Sequence, residues 1–355
     1  MYFCGHYYFY MSQDRTELSS LGEFGLIDRI QQQFSIQNET SLKGIGDDAA
    51  LISAGENSLV VSTDMLLEGV HFDLSYMPLQ HLGYKAVAVN VSDIAAMNAK
   101  PEQIVIGLAI SNRFSLEAVD ALYEGIHAAC ESYKVDLVGG DTSSSVSGLI
   151  ISITAIGRAS KDKVVQRSGA KANDIICVTG DLGAAYIGLQ VLEREKEVFL
   201  TNPEMQPDLE KYEYVVGRQL KPEARMDIIH DLAERDCVPT SMIDISDGLA
   251  SELLHLSKHS KLGVKIFEDK VPIDHDTYET AIEFKMDPIT CALNGGEDYE
   301  LLFTITPSDY EKLKNHPDIH FIGHMHDNPN QNVMVSKQQT LVPITAQGWN
   351  HFKGE

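Results

Sequence analysis

Six short segments of the sequence place acidic residues beside glycine or at the ends of apolar stretches. They are GIGDD with Asp47 and Asp48, STD with Ser62, Thr63 and Asp64, NVSD with Asn90 and Asp93, GGDT with Asp141, IDISDG with Asp244 and Asp247, and NGGEDYEL with Glu297 and Asp298. Two carboxylates about 4 Å apart repel by about 4 kcal/mol at an effective dielectric constant of about 20. Clustered acids therefore either keep protons or bind cations, and ligands that are all oxygens favour hard cations such as Mg²⁺. The joint pattern predicts a magnesium site.

Each acid also has a structural alternative when it is taken alone. Asp48 has the sequence context of a turn residue. Asp247, or Ser246 before it, is placed to cap the N-terminus of the helix that follows. Asp141, after two glycines, is compatible with an ordinary loop. Asp93 is harder to explain in this way, because its neighbours are Ala, Val and Ile in a segment with a helical pattern.

Three familiar binding motifs are absent from these segments. DISDGLASELLH has its glycine at the fifth position instead of the sixth and lacks the acids of an EF-hand loop. No GxxxxGK[ST] occurs, and VTGDLGAAYIGL does not match GxGxxG. If a nucleotide binds here, metal ions and backbone amides hold it.

Two halves with a similar layout position these segments. The first half alternates strands and helices, with a long buried helix predicted over 81–99. The second half repeats the order strand, acid-bearing turn, helix, after a polar, basic and glycine-containing break at 158–174. We therefore expect domains over 21–160 and 161–355. Residues 1–20 are expected to form an extension outside the fold.

Local signals support this layout and describe the N-terminus. Ser115 is predicted to cap an amphipathic helix, and 195–215 is predicted to be a polar excursion. The opening MYFCGHYYFY lacks the basic region and cleavage site of a signal peptide, and Met11 begins a more ordinary polar stretch.

Composition limits the possible partners and compartments. Among 355 residues, 28 Lys and Arg face 52 Asp and Glu, which gives a formal net charge of -24. That charge argues against a nucleic-acid-binding surface, although metal ions could compensate a small phosphorylated substrate. Five cysteines without a C-x-x-C pair argue against a disulfide framework or a zinc cluster, and they fit a cytoplasmic protein. No run of 18 apolar residues exists, so no membrane span is expected.

Taken together, the motifs resemble the thiamine-monophosphate kinase family, which belongs to the superfamily of aminoimidazole ribonucleotide synthetase and selenophosphate synthetase. The matching segments are, in order, GEFGLI, GIGDDAA, STDMLLEGVHF, YKAVAVNVSDIAAM, LVGGDT, RSGAKAND, IDISDGLASEL and NGGEDYELLFT. The resemblance implies an α+β fold of two α/β domains of the aminoimidazole ribonucleotide synthetase-like type. It also implies a homodimer in which the N-terminal domains form a shared β-barrel.

The resemblance further implies transfer of the γ-phosphoryl group of ATP to thiamine monophosphate, giving thiamine diphosphate, with several Mg²⁺ ions as cofactors. The implied Mg²⁺ ligands are Asp48, Ser62, Thr63, Asp64, Asp93, Asp141, Asp244 and Asp247, of which Asp64, Asp93 and Asp244 are the candidate catalytic residues. The implied ATP contacts are Tyr123, Gly140, Asp141, Arg167 and Ser246. The implied contacts to thiamine monophosphate are His71, Glu297 and Trp349.

Each of the three implied substrate-contact residues also has a purely structural interpretation. Trp349, the only tryptophan, could close the second domain as a core residue. His71 could be a turn histidine, and Glu297 could be an acid on an edge strand.

Rival functions come from within and outside the superfamily. Selenophosphate synthetase needs a reactive Cys or selenocysteine near a lysine, and Cys4 has no lysine near it. An enzyme like aminoimidazole ribonucleotide synthetase shares the architecture but not the run of motifs. A non-catalytic metal-binding relative would not need Arg167, Glu297 or His71.

Overall fold

Two β-sheets, one in each half of the chain, organise residues 21–346, which the computed structural model describes. The first half contains α1 (Gly22–Gln31), β1 (Ser41–Lys43), β2 (Ala50–Ala54), β3 (Asn57–Leu67), α2 (Leu79–Ala96), β4 (Lys100–Ile110), α3 (Leu116–Tyr133), β5 (Asp136–Ser144) and β6 (Leu149–Ser160). Its six strands have the order β1-β2-β3-β6-β4-β5, with only the β4–β5 pair parallel. This sheet is open, with β1 and β5 at its edges, so the described chain forms no closed barrel by itself.

The second half builds a seven-stranded sheet. Its elements are β7 (Ile175–Thr179), α4 (Ala184–Thr201), α5 (Glu213–Leu220), α6 (Met226–Glu234), β8 (Ser241–Asp244), α7 (Leu249–Ser260), β9 (Gly263–Phe267), α8 (His275–Glu283), α9 (Pro288–Asn294), β10 (Leu301–Ile305), α10 (Tyr310–Leu313), β11 (Ile319–His326), β12 (Asn332–Val335) and β13 (Leu341–Pro343). The strand order is β13-β12-β9-β11-β7-β10-β8, so β8 is an edge strand. The carboxyl end of β8 brings Asp244 to the first half of the chain.

Helix α2 is the element that connects the two halves. Fourteen of its residues are buried, and most of these are small or apolar. It packs on one face of the six-stranded sheet and also contacts β8, α5 and α6. A Cβ atom at Gly125 of α3 would lie 1.8 Å from the Gln80 carbonyl oxygen, so only glycine allows α3 to approach α2 this closely. The helix that carries Asp93 is thus held between both halves.

Local sequence signals predicted α2 and the start of α3 correctly. The Ser115 side chain accepts a hydrogen bond from the Ala118 N–H and caps α3, as predicted. The alternative that Asp247 or Ser246 caps α7 is wrong, because Gly248 is the N-cap residue and no side chain bonds there. The predicted polar excursion is also shorter than expected, since α4 continues to Thr201.

The division into domains at residue 160 stays a prediction. The two sheets lie on either side of it, but one apolar core includes buried residues from both halves, such as Val87 and Phe303. No helix within residues 21–346 is long and apolar enough to cross a membrane. Cys130, Cys177, Cys237 and Cys291 are free thiols.

Candidate functional site

Three of the predicted acids meet at the junction of the two halves. Asp48 lies in the bend before β2, Asp93 in the last turn of α2, and Asp244 at the carboxyl end of β8. Their carboxylate oxygens lie within 4.8 Å of one another. We call Asp48, Asp93 and Asp244 the acid cluster.

Helix α2 and strand β3 hold the acid cluster through short polar contacts. The Ser92 hydroxyl donates a hydrogen bond of 2.6 Å to Asp244 Oδ2. The Ser62 hydroxyl lies within hydrogen-bonding distance of both the Asp93 carboxylate and the Asp48 backbone carbonyl. Asn90 Oδ1 accepts a 3.1 Å bond from the backbone N–H of Asp64, which fixes that part of β3 against α2. Ser92 was missed at the sequence level, although it lies beside Asp93.

Burial makes this group of carboxylates hard to ionise. Burial, with neighbouring carboxylates, raises the pKa of Asp93 well above its usual value. Burial and then the nearby Asp48 raise the pKa of Asp244 to about 7. Burial and the charge of Glu23 raise the pKa of Asp64 to about 6. The acids therefore need positive charge to be ionised together at neutral pH.

Within residues 21–346, one cationic side chain reaches the acid cluster. Arg167 Nη2 donates to Asp48 Oδ1 at 2.7 Å, and Arg167 Nε lies 3.2 Å from the same oxygen. The pKa of Asp48 is nevertheless raised, because burial outweighs the effect of Arg167. The second oxygen, Asp48 Oδ2, is buried and has no hydrogen-bond partner among the residues that the structure describes. A single guanidinium leaves the cluster short of positive charge, and the orphaned oxygen together with oxygen-only donors fits a hard divalent cation.

Two of the eight predicted metal ligands lie away from the acid cluster. Side chains alternate along β3, so Thr63 faces the sheet surface opposite to that of Ser62 and Asp64. The Thr63 hydroxyl donates to the Ile153 carbonyl at 3.1 Å. Asp141 lies on the exposed edge strand β5, three strands from β3, which is about 14 Å at the usual strand spacing.

Asp247 follows β8 and lies close to a buried acid that sequence inspection missed. The backbone N–H of Asp247 donates to Glu252 Oε1 at 2.9 Å. Glu252 is 2% exposed, and its other oxygen has no hydrogen-bond partner in the described part of the chain. Burial raises its pKa well above the usual value. An acid in the apolar run GLASELLH was the sequence signal for it. Ser246 is exposed on the same turn.

Glu297 and Asp298 of the NGGEDYEL segment differ in burial, since Glu297 is partly exposed and Asp298 is buried. Glu297 lies in the loop before β10 and not on an edge strand, so that alternative is wrong. Its carboxylate contacts Lys85 and Gln219, which were both missed in the sequence. Asp298 is 2% exposed and accepts from the backbone N–H of Gly183 at 2.9 Å, so it stabilises the start of α4.

The remaining predicted contacts to ATP and thiamine monophosphate lie outside the acid cluster. Leu67 N–H donates to His71 Nδ1 at 3.1 Å, so His71 does hold the turn after β3. Tyr123 and Gly140 line a cleft of about 410 Å³ beside β5, together with Asp141. A Cβ atom at Gly140 would lie 2.1 Å from the Ile106 carbonyl oxygen, so the β4–β5 pairing itself requires glycine there. Trp349 lies outside the described residues.

Comparison with known proteins gives consistent results along the chain. Residues 46–159 match the family model "AIR synthase related protein, N-terminal domain". The chain is 36% identical over 341 residues to the thiamine-monophosphate kinase of Bacillus subtilis, covering 94% of this chain and all of that protein. It is 34% identical to the thiamine-monophosphate kinase of Aquifex aeolicus over 336 residues, which cover 94% of this chain and 99% of that protein.

A solved structure described as AaThiL complexed with AMPPCP and TMP has a similar fold. It superposes with a TM-score of 0.81 at 31% identity and covers 96% of this chain and all of that chain. The mixed α/β fold predicted from the sequence is confirmed by these matches.

Proposed function

Because this chain belongs to the thiamine-monophosphate kinase family, we propose that it catalyses direct, Mg²⁺-dependent transfer of the γ-phosphoryl group of ATP to thiamine monophosphate. The products would be thiamine diphosphate and ADP. The observation that carries the proposal is the acid cluster of Asp48, Asp93 and Asp244, whose oxygens lie within 4.8 Å of one another and face one arginine. The complex of AaThiL with AMPPCP and TMP supports the choice of both substrates.

The residues of this chain would act mainly by holding positive charge beside the phosphate groups. Asp48, Asp93 and Asp244 would hold Mg²⁺, with Ser62, Asp64 and Asp247 as further ligands from the same chain. When bound, Mg²⁺ neutralises phosphate oxygens and orients them for in-line displacement. Since the ligand atoms come from α2, β8 and the loop before β2, each is fixed by packing, and little reorganisation is needed when phosphates bind.

The acceptor needs no general base from the protein. A phosphate monoester with a second pKa of about 6 is mostly a dianion at neutral pH and is already a nucleophile. The barrier lies in bringing two polyanions together, which positive charge at the site reduces. Arg167, beside Asp48, is placed to turn toward ATP phosphates. Glu297, His71 and Trp349 are proposed to contact the organic part of thiamine monophosphate.

We further propose that the active protein is a homodimer with a shared β-barrel. The surface of the six-stranded sheet opposite α2 includes Met65, which is 54% exposed, and the edge strand β5 exposes Val138 by 59%. Apolar exposure of this kind is typical of an interface. Asp141 is too far from Asp64 to share an ion with it in one chain, so a common site requires Asp141 of the partner subunit. Partly buried Tyr123 and exposed Gly140, which lie beside Asp141, would then contact ATP at the interface.

The direct test is an assay with purified protein, ATP, Mg²⁺ and thiamine monophosphate, in which thiamine diphosphate is separated by chromatography. Metal-dependent product, absent with EDTA, is expected. Tight Mg²⁺-dependent ATP binding without product would mean that the acceptor is wrong, and formylglycinamidine ribonucleotide would be tested next for an enzyme like aminoimidazole ribonucleotide synthetase. Metal binding without ATP binding would favour the non-catalytic alternative.

A further inference from the structure

Lys85 is a fully buried lysine in the middle of α2. Its side chain is 1% exposed, whereas that of its ion-pair partner Glu297 is 29% exposed. A buried ammonium costs several kcal/mol unless other groups compensate its charge and hydrogen bonds. The apolar packing around α2 gives no reason for a lysine here, since a methionine would fill a similar volume without the cost of burying a charge.

The contacts of Lys85 converge on one carboxylate. Lys85 Nζ lies 3.1 Å from Glu297 Oε1 and donates to the Gln219 backbone carbonyl at 3.3 Å. Gln219 Nε2 donates to the other oxygen, Glu297 Oε2, at 2.7 Å. Two donors from two helices therefore bind both oxygens of Glu297, which leaves the carboxylate a single orientation.

The backbone that carries Glu297 is also held under strain. Glu297 and Tyr299 have φ angles of +58° and +53°, in the left-handed region that disfavours side chains. Their N–H groups donate to the Ser246 and Ile245 carbonyls at 2.7 and 2.9 Å. The loop is thus fastened to the two residues that follow Asp244. Such strain persists only where surrounding contacts fix the conformation.

Helix α2 connects this arrangement to the acid cluster. Lys85 and Asp93 lie on the same helix, and eight residues correspond to a rise of about 12 Å. The helix therefore sets the distance between the acid cluster and the Glu297 carboxylate. Any ligand that reaches both must have an anionic end and an organic end at a matching separation.

We propose that Lys85 and Gln219 are positioning residues that fix Glu297 for recognition of the organic part of the acceptor, so that its phosphate reaches the acid cluster. This inference rests on the proposed function, in which Glu297 contacts thiamine monophosphate. It assigns Lys85 an effect on the acceptor alone, because Lys85 contacts neither Arg167 nor the acid cluster.

The test compares Lys85→Met and Gln219→Met with the wild type. Each variant keeps the side-chain volume and removes one donor to Glu297. We expect the KM for thiamine monophosphate to rise about tenfold or more, as for loss of a charge-assisted hydrogen bond, while the KM for ATP stays within about twofold. Lys221→Met is the matched control, because Lys221 is exposed, with its ammonium over the Tyr84 ring and its charge acting on His81 rather than on Glu297.

A double variant distinguishes a positioning role of Lys85 from a general effect of Lys85 on stability. If Lys85 acts through Glu297, the double variant Lys85→Met with Glu297→Gln should have the same KM for thiamine monophosphate as Glu297→Gln alone. Additive effects, or equal losses for ATP and acceptor, would show a merely structural role. An unchanged or lower KM in Lys85→Met, as expected if a released Glu297 attracted the cationic ring more strongly, would overturn the proposal.

A substitute variant and the activity of the wild type keep the outcome interpretable. If Lys85→Met does not fold, Gln219→Met carries the comparison, because the backbone carbonyl that Lys85 contacts is retained. Failure of the wild type to form thiamine diphosphate would count against the proposed function, whereas an active wild type with unaffected variants would count against this inference only.

Discussion

Arg167 Nη2 lies 2.7 Å from Asp48 Oδ1, and this contact joins the segment between the two sheets to the loop before β2. Within residues 21–346 it is the only ion pair of Asp48. Arg167 thus offsets part of the negative charge that the acid cluster accumulates. Its guanidinium can pair either with the Asp48 carboxylate or with a phosphate group of bound ATP. These two roles predict different effects of removing the guanidinium.

Arg167→Met should have opposite effects on nucleotide and metal. Loss of the guanidinium should weaken ATP binding by about tenfold or more, because a charge-assisted contact to phosphate is removed. The metal should bind at least as tightly, since the cluster becomes more negative. Calorimetric titrations with Mg²⁺ and with a non-hydrolysable ATP analogue measure both constants.

The matched control for Arg167→Met is Arg158→Met, which removes an arginine that is paired with Glu102 and not with an acid of the cluster. Equal weakening of metal and nucleotide in Arg167→Met would mean that Arg167 only supports the fold.

Asp64→Ala should abolish phosphoryl transfer while leaving the fold intact. Asp64 is partly exposed beside the acid cluster, and its position is fixed through its backbone N–H, which the substitution keeps. The product assay should show a loss of at least about 100-fold, in the range seen when electrostatic stabilisation is removed. Circular dichroism and the melting temperature should change little. Full activity with normal metal dependence would refute the site assignment.

Asp244→Asn should stabilise the metal-free protein at high pH. Because burial raises the pKa of Asp244 to about 7, the folded state holds a proton that the unfolded state loses at lower pH. The contribution of Asp244 to the free energy of unfolding therefore falls as pH rises from about 4 to above 7. At pH 8 the neutral amide should avoid a cost of a few kcal/mol at most, or roughly several degrees in Tm.

Melting curves at about pH 5.5 and about pH 8, each with EDTA or Mg²⁺, test this expectation. These two pH values lie on either side of the shifted pKa of Asp244, by about 1 unit or more. Mg²⁺ should raise the Tm of the wild type at pH 8 and have much less effect on Asp244→Asn. Asp208→Asn, which changes an exposed acid, is the control. A destabilised Asp244→Asn without Mg²⁺ at pH 8 would contradict the prediction.

Two inactive variants should restore activity when they share a dimer, if Asp141 serves the partner subunit's site. In a mixed dimer of Asp64→Ala and Asp141→Ala, one site carries both changes and the other carries neither. Random association of equal amounts should then recover about a quarter of wild-type activity, given two-fold symmetry. Co-expression with two affinity tags allows the mixed species to be purified and assayed. Recovery of none, from a verified mixed dimer, would place Asp141 in its own chain's site or outside any site.

The local sequence determined the elements and the chemical type of the site. Helix α2 follows from a long run of small and apolar residues, and α3 follows from its amphipathic period and the Ser115 cap, because these signals act within a few residues. The oxygen-rich segments indicated a hard cation before any geometry was known. The family resemblance is confirmed by relatives that match nearly the whole chain.

Only the tertiary structure decided which of these residues meet. Arg167 and Asp48 are 119 positions apart, and Lys85 and Gln219 are 134 apart, so no local period relates them. Strand alternation in β3 separates Thr63 from Ser62 and Asp64, and this division depends on which sheet face α2 covers. The buried charge of Lys85 could not be recognised from an apolar helix pattern, because its partners come from the other half of the chain. Sequence periodicity specifies which face of an element is buried, whereas long-range packing specifies what that face meets.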